Sequence, residues 1–410
     1  MPWMRSLLVL CGVVAAAPAG DWPQWLGPNR DASTSEKVEP WPQAPKVLWR
    51  KPVGEGHSSP VVAGGRVFLH TRAADKQEEV INAWDARTGE DLWQAGYSRA
   101  AFSSIFGNGP RATPAVAGDR VYTFGVTGIL SAYEAASGKR AWQLDTLKEF
   151  NAKNLFFGTS CSPLVDGDRL FLNVGGPGAS LVAFATGDGK VLWKNLDDPA
   201  SYSSPILFKT GSQRQLVFLT QQGLNSVNPA DGALWWKFPL KDLLSESSTT
   251  PVRAGDRLLA SSVTYGTVGL RMQDKDGKPE AEKVWKNTDL TCYFSTPVAV
   301  GKEHVYMVTG KVALGRRPEA TLRCVETATG KELWQKAHVG EYHASLLRAG
   351  DDRLLMLDDA GSLMVLDPNP KAYRELCRAK VCGKTWAHPA LADGRLYLRD
   401  DKELLCLQLK

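Results

Sequence analysis

The sequence predicts an all-β protein, an eight-bladed β-propeller of four-stranded antiparallel blades, on three observations. A hairpin text returns along the chain, a tryptophan recurs at a fixed distance beyond a turn glycine, and the last unit lacks a strand that the other end of the chain can supply.

The hairpin text is first met as GHSSPVVAGGRVFLH, Gly56 to His70, and returns as RATPAVAGDRVYTF from Arg111, SCSPLVDGDRLFLN from Ser160 and YFSTPVAVGKEHVYMV from Tyr293. Aligning on its proline gives Pro60, Pro114, Pro163, Pro205, Pro251 and Pro297, then Leu346, then Pro389. The period is roughly 45 residues, the range in which repetition signals propeller blades. Each unit opens with a small-residue strand, turns at Gly-Gly or Gly-Asp, and returns as an alternating strand such as RVYTF.

The second half of the unit reads AWDARTGEDLW (Ala83 to Trp93), AYEAASGKRAW (Ala132 to Trp142), AFATGDGKVLW (Ala183 to Trp193) and CVETATGKELW (Cys324 to Trp334), and Gly232 and Trp236 keep the same offset. Glycine supplies the positive φ of a tight turn between the last two strands. An outer-strand tryptophan then offers a large apolar face to the adjoining blade. Trp49, Trp93, Trp142, Trp193, Trp236, Trp285 and Trp334 are the expected blade-docking residues.

After RLYLR and ELLCLQLK the chain stops at Lys410 without a tryptophan strand, whereas KVLW at Lys46 to Trp49 repeats KVLW at Lys190 to Trp193 and belongs to no hairpin of its own. Pairing the N-terminal strand, Val47 to Arg50, with the C-terminal blade, Leu404 to Leu409, closes the ring and removes an open sheet edge.

Ahead of the propeller, residues 1–19 carry Arg5, an apolar run from Leu7 to Ala17 and an Ala17-x-Ala19 cleavage pattern, which predicts a signal peptide and a periplasmic or extracellular mature protein. The run is short of the roughly 20 apolar residues that span a bilayer, and no other stretch is apolar enough to span, so no transmembrane segment is expected after its removal. Residues 20–45 are an extended, Pro- and Trp-rich arm whose Trp22 and Trp25 need apolar surface, and residues 46–410 form the propeller. With Cys11 removed, six cysteines are left, and Cys377 and Cys382 are the pair closest enough in sequence to test for a disulfide.

Composition excludes some classes. The chain is 43% hydrophobic and 23% charged, as an ordinary globular protein is, and its formal charge of +5 with no long run of like charges gives nucleic acid no footprint. The histidines His57, His70, His304, His338, His343 and His388 form no H-x-x-x-H or H-E-x-x-H pattern, so a zinc hydrolase has no support. DKDGKPE, Asp274 to Glu280, lacks the ligand positions of a calcium loop and falls where a hairpin must turn. The recurring Ser-Ser-Pro serines read as small residues packed near a crowded axis rather than as nucleophiles.

SSPVVAGGRVF-type strands combined with A-x-D-x-x-T-G-x-x-x-W turns resemble the PQQ-like propeller repeat of bacterial quinoprotein dehydrogenases and of the propeller protein in the outer-membrane β-barrel assembly machinery. The resemblance covers about Lys46 to Lys410, and the leader DWPQWLGPNR, Asp21 to Arg30, resembles the segment that opens many exported bacterial proteins of this type. In the dehydrogenases the resemblance implies a quinone stacked between a tryptophan and a ring of adjacent cysteines, a calcium ion held by acidic and amide side chains, and an aspartate base. This chain has no adjacent cysteines and no C-x-x-C-H haem motif. The reading therefore leans away from an enzyme, with no catalytic or metal residue assigned and no cofactor expected. A non-catalytic binding or scaffolding module of the cell envelope is favoured, and a PQQ- and calcium-dependent dehydrogenase of alcohols or sugars is the alternative.

One constellation points to binding. The residue three before each repeat proline sits where the chain enters the innermost strand, at the rim of the central channel: His57, Arg111, Ser160, Tyr202, Ser248, Phe294, His343 and Trp386. Structural positions should look alike round a ring, as the prolines do, and these differ in size, charge and polarity. Loops expected on the same face include TRAADKQEEV from Thr71, TGKVALGRRPEAT from Thr309 with Lys311, Arg316 and Arg317, and LKEFNAKNLFFG from Leu147 with Phe156 and Phe157. An aromatic and basic mouth of this kind suits a protein, peptide, glycan or small anionic partner.

Overall fold

The computed structural model describes residues 20–74, 76–310, 319–350 and 352–409. The leader at residues 1–19 and the basic loop with Lys311, Arg316 and Arg317 lie outside the described residues. Among the described residues no helix is long and apolar enough to cross a membrane.

The chain folds into eight four-stranded antiparallel sheets, each drawn from consecutive strands except the last. Blade 1 runs Val61–Ala63, Arg66–Arg72, Glu78–Asp85 and Asp91–Ser98, from the axis outward. The closing blade takes Ala390–Ala392, Arg395–Arg399 and Glu403–Gln408 from the C-terminus and Lys46–Pro52 from the N-terminus. The two ends pair from Lys46 with Gln408 to Pro52 with Glu403, with a bulge between Val47 and Trp49. The ring therefore has no free edge at the seam, as the sequence predicts.

Apolar side chains do not gather in one central core. They fill the layers between neighbouring blades, as where Leu164, Phe171 and Trp193 of blade 3 meet Leu216, Phe218 and Val227 of blade 4. The outer-strand tryptophans complete these layers. Trp49 lies over the turn glycine Gly89 of the next blade, Trp93 over Gly138, Trp142 over Gly189, Trp193 over Gly232 and Trp285 over Gly330. At Gly89, φ is 74° and an added Cβ would stand 2.8 Å from the Trp49 ring, so the glycine meets both a conformational and a packing demand.

Each of these indoles also donates to a backbone carbonyl across the gap: Trp49 to Ala86, Trp93 to Ala135, Trp142 to Thr186, Trp193 to Pro229 and Trp285 to Thr327, at 2.9 to 3.1 Å. Trp334 does the same to Asn369 at 2.8 Å. Trp236 differs and donates at 3.0 Å to the Gln215 side chain of its own blade. The reason lies in blade 5, which replaces the short glycine turn by a long hairpin, Gly266–Lys275 and Lys278–Asn287, closed by Asp276 and Gly277 with φ of 53° and 78°. This is the DKDGKPE segment, and it is a hairpin turn.

The Ser-Ser-Pro text has a second use beyond small size. The residue just before the repeat proline sends its amide to the hydroxyl at the same position in the next blade: Ser59 to Thr113, Thr113 to Ser162, Ser162 to Ser204 and Thr250 to Thr296, with His388 donating to Ser59 across the seam. A belt of hydroxyls thus links the inner strands where backbone amides have no sheet partner on the axis side.

Residues 20–45 are more than an arm laid on the outside. Trp22 exchanges backbone hydrogen bonds with Val62 of blade 1, Pro23 accepts from Val116 of blade 2, and Ala32 and Thr34 bracket Arg348 of blade 7. Arg30, 4% exposed, donates to the carbonyls of Ser162, Pro163 and Pro205, and Trp25 donates to the Thr250 hydroxyl. Glu36 accepts the amides of Asp393 and Gly394 in the closing blade. The segment plugs the channel by bonding to blades on every side. Leu26, Arg30 and Ala32 take φ of 56° to 59° to do so, a strained coil held by what surrounds it.

The six cysteines from Cys161 to Cys406 are all free, so Cys377 and Cys382 are not bridged. Burial pushes the Cys161 thiol up to about 11, which makes it a packing group rather than a nucleophile.

Candidate binding site at the propeller mouth

Each rim residue is placed where the chain crosses from an outer strand to the axis, and in most blades the belt of hydroxyls lies just beyond it. His57, Arg111, Ser160, Tyr202, Ser248, Phe294, His343 and Trp386 all line one cavity of about 170 Å³ at the mouth of the channel. Its floor is Trp25 and Leu26 of the plug, so the channel is blind.

Trp386 is the hub of the aromatic wall. His57 stacks on it at 5.5 Å and 19°, His343 lies 4.9 Å away, and Phe294, Phe106 and Tyr342 approach it at 5.2, 5.6 and 5.5 Å. Phe106 bridges onward to Phe157 at 5.4 Å, and Phe157 to Tyr202 at 5.8 Å. Phe106, Tyr293, Glu246 and the two floor residues were not legible as rim positions, because they arrive on the plug and on connections between blades. The signal for Phe106 was the length of the connection from Arg99 to Pro110, which exceeds what a strand-to-strand crossing needs.

Among the described lining residues Arg111 and Glu246 carry charge. Arg111 donates to the carbonyls of Phe157 and Gly107 and to the Ser104 hydroxyl, at 2.5, 3.1 and 3.2 Å. It is a clamp on two mouth loops. Burial lowers it to about 10, and it stays charged at neutral pH. Glu246 accepts from the Tyr293 phenol, whose ionisation is pushed up by burial and by that carboxylate. Burial and the Arg111, Arg399 and His343 groups hold His57 well below the usual histidine range, and burial lowers His343 against the pull of Asp359. Both imidazoles are neutral at pH 7. The described mouth is thus aromatic and close to electrically balanced; the basic part expected of it falls on residues 311–318, outside the described residues. Phe157 lines the cavity and Phe156, 75% exposed, stands beside it.

Comparison with known proteins fits this geometry. The profile of the outer membrane protein assembly factor BamB family matches residues 76–317 and 318–408. The chain belongs to that family. It is 24% identical over 285 residues to the outer membrane protein assembly factor BamB of Yersinia pestis, a match spanning 64% of this chain and 67% of that protein. With BamB of Shewanella oneidensis it shares 26% over 174 residues, 41% of this chain and 42% of the relative. The crystal structure of BamB from Moraxella catarrhalis superposes with a TM-score of 0.59 at 14% identity, covering 89% of this chain and 98% of that one. Quinohemoprotein alcohol dehydrogenase from Comamonas testosteroni superposes with a TM-score of 0.65 at 12% identity, covering 97% and 81%. These two likenesses show the shared propeller. The family match and the curated relatives are BamB; the dehydrogenase shares the propeller fold.

The dehydrogenase likeness raises PQQ and calcium, and the described residues of the mouth do not fit them. A planar tricarboxylate needs cations to receive its charge. Among the described lining residues the Arg111 guanidinium is spent on mouth loops, and Glu246 would repel the carboxylates. No group of three His, Cys, Asp or Glu that could hold a metal ion occurs among the described residues.

Proposed function

We propose that this BamB-family propeller is exported to the periplasm or beyond and serves as a non-catalytic binding or scaffolding module during assembly of outer-membrane proteins, holding a protein partner at its mouth. The observation that carries the reading is the blind, aromatic-walled cavity at the rim, built from side chains that differ from blade to blade on a scaffold that does not. Aromatic anchors in a concave, partly desolvated surface are what protein interfaces use for most of their binding energy. The dehydrogenase reading has the fold in its favour and meets, among the described residues, a lining whose Arg111 is tied to mouth loops and no cluster of metal-ligating side chains.

Two measurements separate the readings. A thermal melt with and without PQQ plus calcium should show no shift, since only a ligand that binds the native state raises its stability. An upward shift accompanied by dye-linked oxidation of alcohols or sugars would replace the scaffold reading with the enzyme. Capture of envelope proteins by the mature protein should be lost on Trp386→Ala or Tyr202→Ala; unchanged capture would move the partner away from the mouth. Mass spectrometry of the natively expressed N-terminus should begin near Gly20, and an intact Met1 in a cytoplasmic fraction would overturn export.

A further inference from the structure

The polar atoms left unpaired in the mouth specify what enters it. His343 is 3% exposed and its ring bonds to the Thr385 backbone, which leaves Nε2 without a partner. Ser295, 5% exposed, also has an unpartnered hydroxyl. Both residues line the cavity. A buried polar group without a partner is costly, so a group that completes it is favoured where a cavity gives it access. With its other nitrogen holding the proton toward Thr385, His343 Nε2 is an acceptor and asks for an O–H or N–H.

Charge narrows the donor. A cation would be buried beside Arg111, itself already desolvated, and an anion would meet Glu246 and an imidazole lone pair, with Arg111, the one arginine among the described lining residues, already tied to the mouth loops. A neutral group with one donor at the tip of an aromatic body avoids both penalties and matches walls made of Trp386, Phe294, Phe106 and Tyr202. The cavity volume suits one such side chain. Its surroundings ask for more than a small molecule: Ile105 and Leu243 are each 82% exposed and Phe156 is 75% exposed, and all three lie on connections that also supply lining residues, Phe106, Glu246 and Phe157. These are the most exposed large apolar side chains of the described residues, and they stand at the mouth.

We propose that the mouth takes a tyrosine side chain of an extended polypeptide, the ring seated against Trp386 and Phe294, the phenol donating to His343 Nε2, and the flanking residues resting on Ile105, Phe156 and Leu243. The proposal rests on the binding reading above and names the anchor.

The test is isothermal titration of the mature protein with the capped peptide Ac-Thr-Val-Tyr-Val-Thr-NH2, its Phe and Lys counterparts at the central position, and N-acetyltyrosine amide. The Tyr peptide should bind about tenfold tighter than the Phe peptide, the value of one hydrogen bond to a buried acceptor. His343→Leu should equalise the two, and His343→Asn, which keeps an acceptor, should retain part of the difference, with a thermal melt confirming that each variant is folded. Equal Tyr and Phe binding in the wild type, tighter binding of the Lys peptide, N-acetyltyrosine amide matching the pentapeptide, or no binding of any peptide would each overturn it. Loss of envelope-protein capture in Trp386→Ala alongside equal Tyr and Phe binding would sink the anchor and leave the scaffold reading standing.

Discussion

The two ends of the central channel are built on the same eight inner strands and are opposite in chemistry. At the plugged end Arg30 and Trp25 spend their donors on Ser162, Pro163, Pro205 and Thr250, and Trp22 lies stacked on His388 at 6.0 Å. At the mouth the aromatic rings are half-buried, and His343 Nε2 and Ser295 Oγ have no partner. The difference teaches that a symmetric scaffold does not fix the use of its faces. One end is closed by a plug bonded to the backbone of several blades, and the other is held open with unmet hydrogen-bonding capacity.

The largest effect comes from removing the closed end altogether. Deleting the mature chain through Trp49 takes away the plug and the strand paired with Glu403–Gln408, exposing a sheet edge. The truncated chain should be insoluble or aggregate on mild heating; an equally soluble and stable product would show that neither plug nor closure matters. Next, Arg30→Met keeps the volume and strips the donors, leaving carbonyls of Ser162, Pro163 and Pro205 unpaired. A loss of about 3 kcal/mol in urea unfolding is expected. Trp386→Ala, at the mouth, should cost less stability than Arg30→Met; the reverse order would break the contrast between a structural end and a binding end.

Smaller effects sharpen the same contrast between crowded and open positions. Gly89→Ala puts a methyl against Trp49 at a φ of 74° and should cost about 2 kcal/mol, whereas Gly277→Ala, at φ of 78° with open space around it, should cost about 1 kcal/mol. Equal losses would mean that the indole contributes nothing to the glycine requirement. Acid gives the smallest effect. His57 titrates well below its usual range in the fold, so as pH falls below about 6.5 the unfolded chain binds a proton that the native mouth refuses. Stability therefore falls with pH, and the denaturation midpoint at pH 5.5 should drop less, relative to pH 7.5, in His57→Gln than in the wild type.

Much of the fold was legible because propeller repetition writes each structural demand many times. One Trp beside one glycine is ordinary; Trp93 over Gly138 and Trp142 over Gly189, at the same offset, define a contact. The eight rim positions were legible for the same reason, since an alignment fixed on the proline carries the residue three before it to the axis. Trp236 marks the limit. Its offset from Gly232 is normal, yet its indole turns to Gln215 because the next blade, not its own, has changed its hairpin.

By itself the sequence determined the β architecture, the seam at Lys46 and the eight equivalent positions that the structure puts in the lining of one cavity, because these depend on periodicity and on contacts repeated along the chain. Tertiary structure alone decided that Asp21 to Glu36 enters the channel, that Phe106 and Glu246 join the mouth, and that Arg111 is tied to its loops while His343 Nε2 stays unpaired. Each of these depends on where a unique, unrepeated segment comes to rest against several blades at once. No period encodes that; it follows from which buried donors and acceptors the closed ring leaves for such a segment to meet.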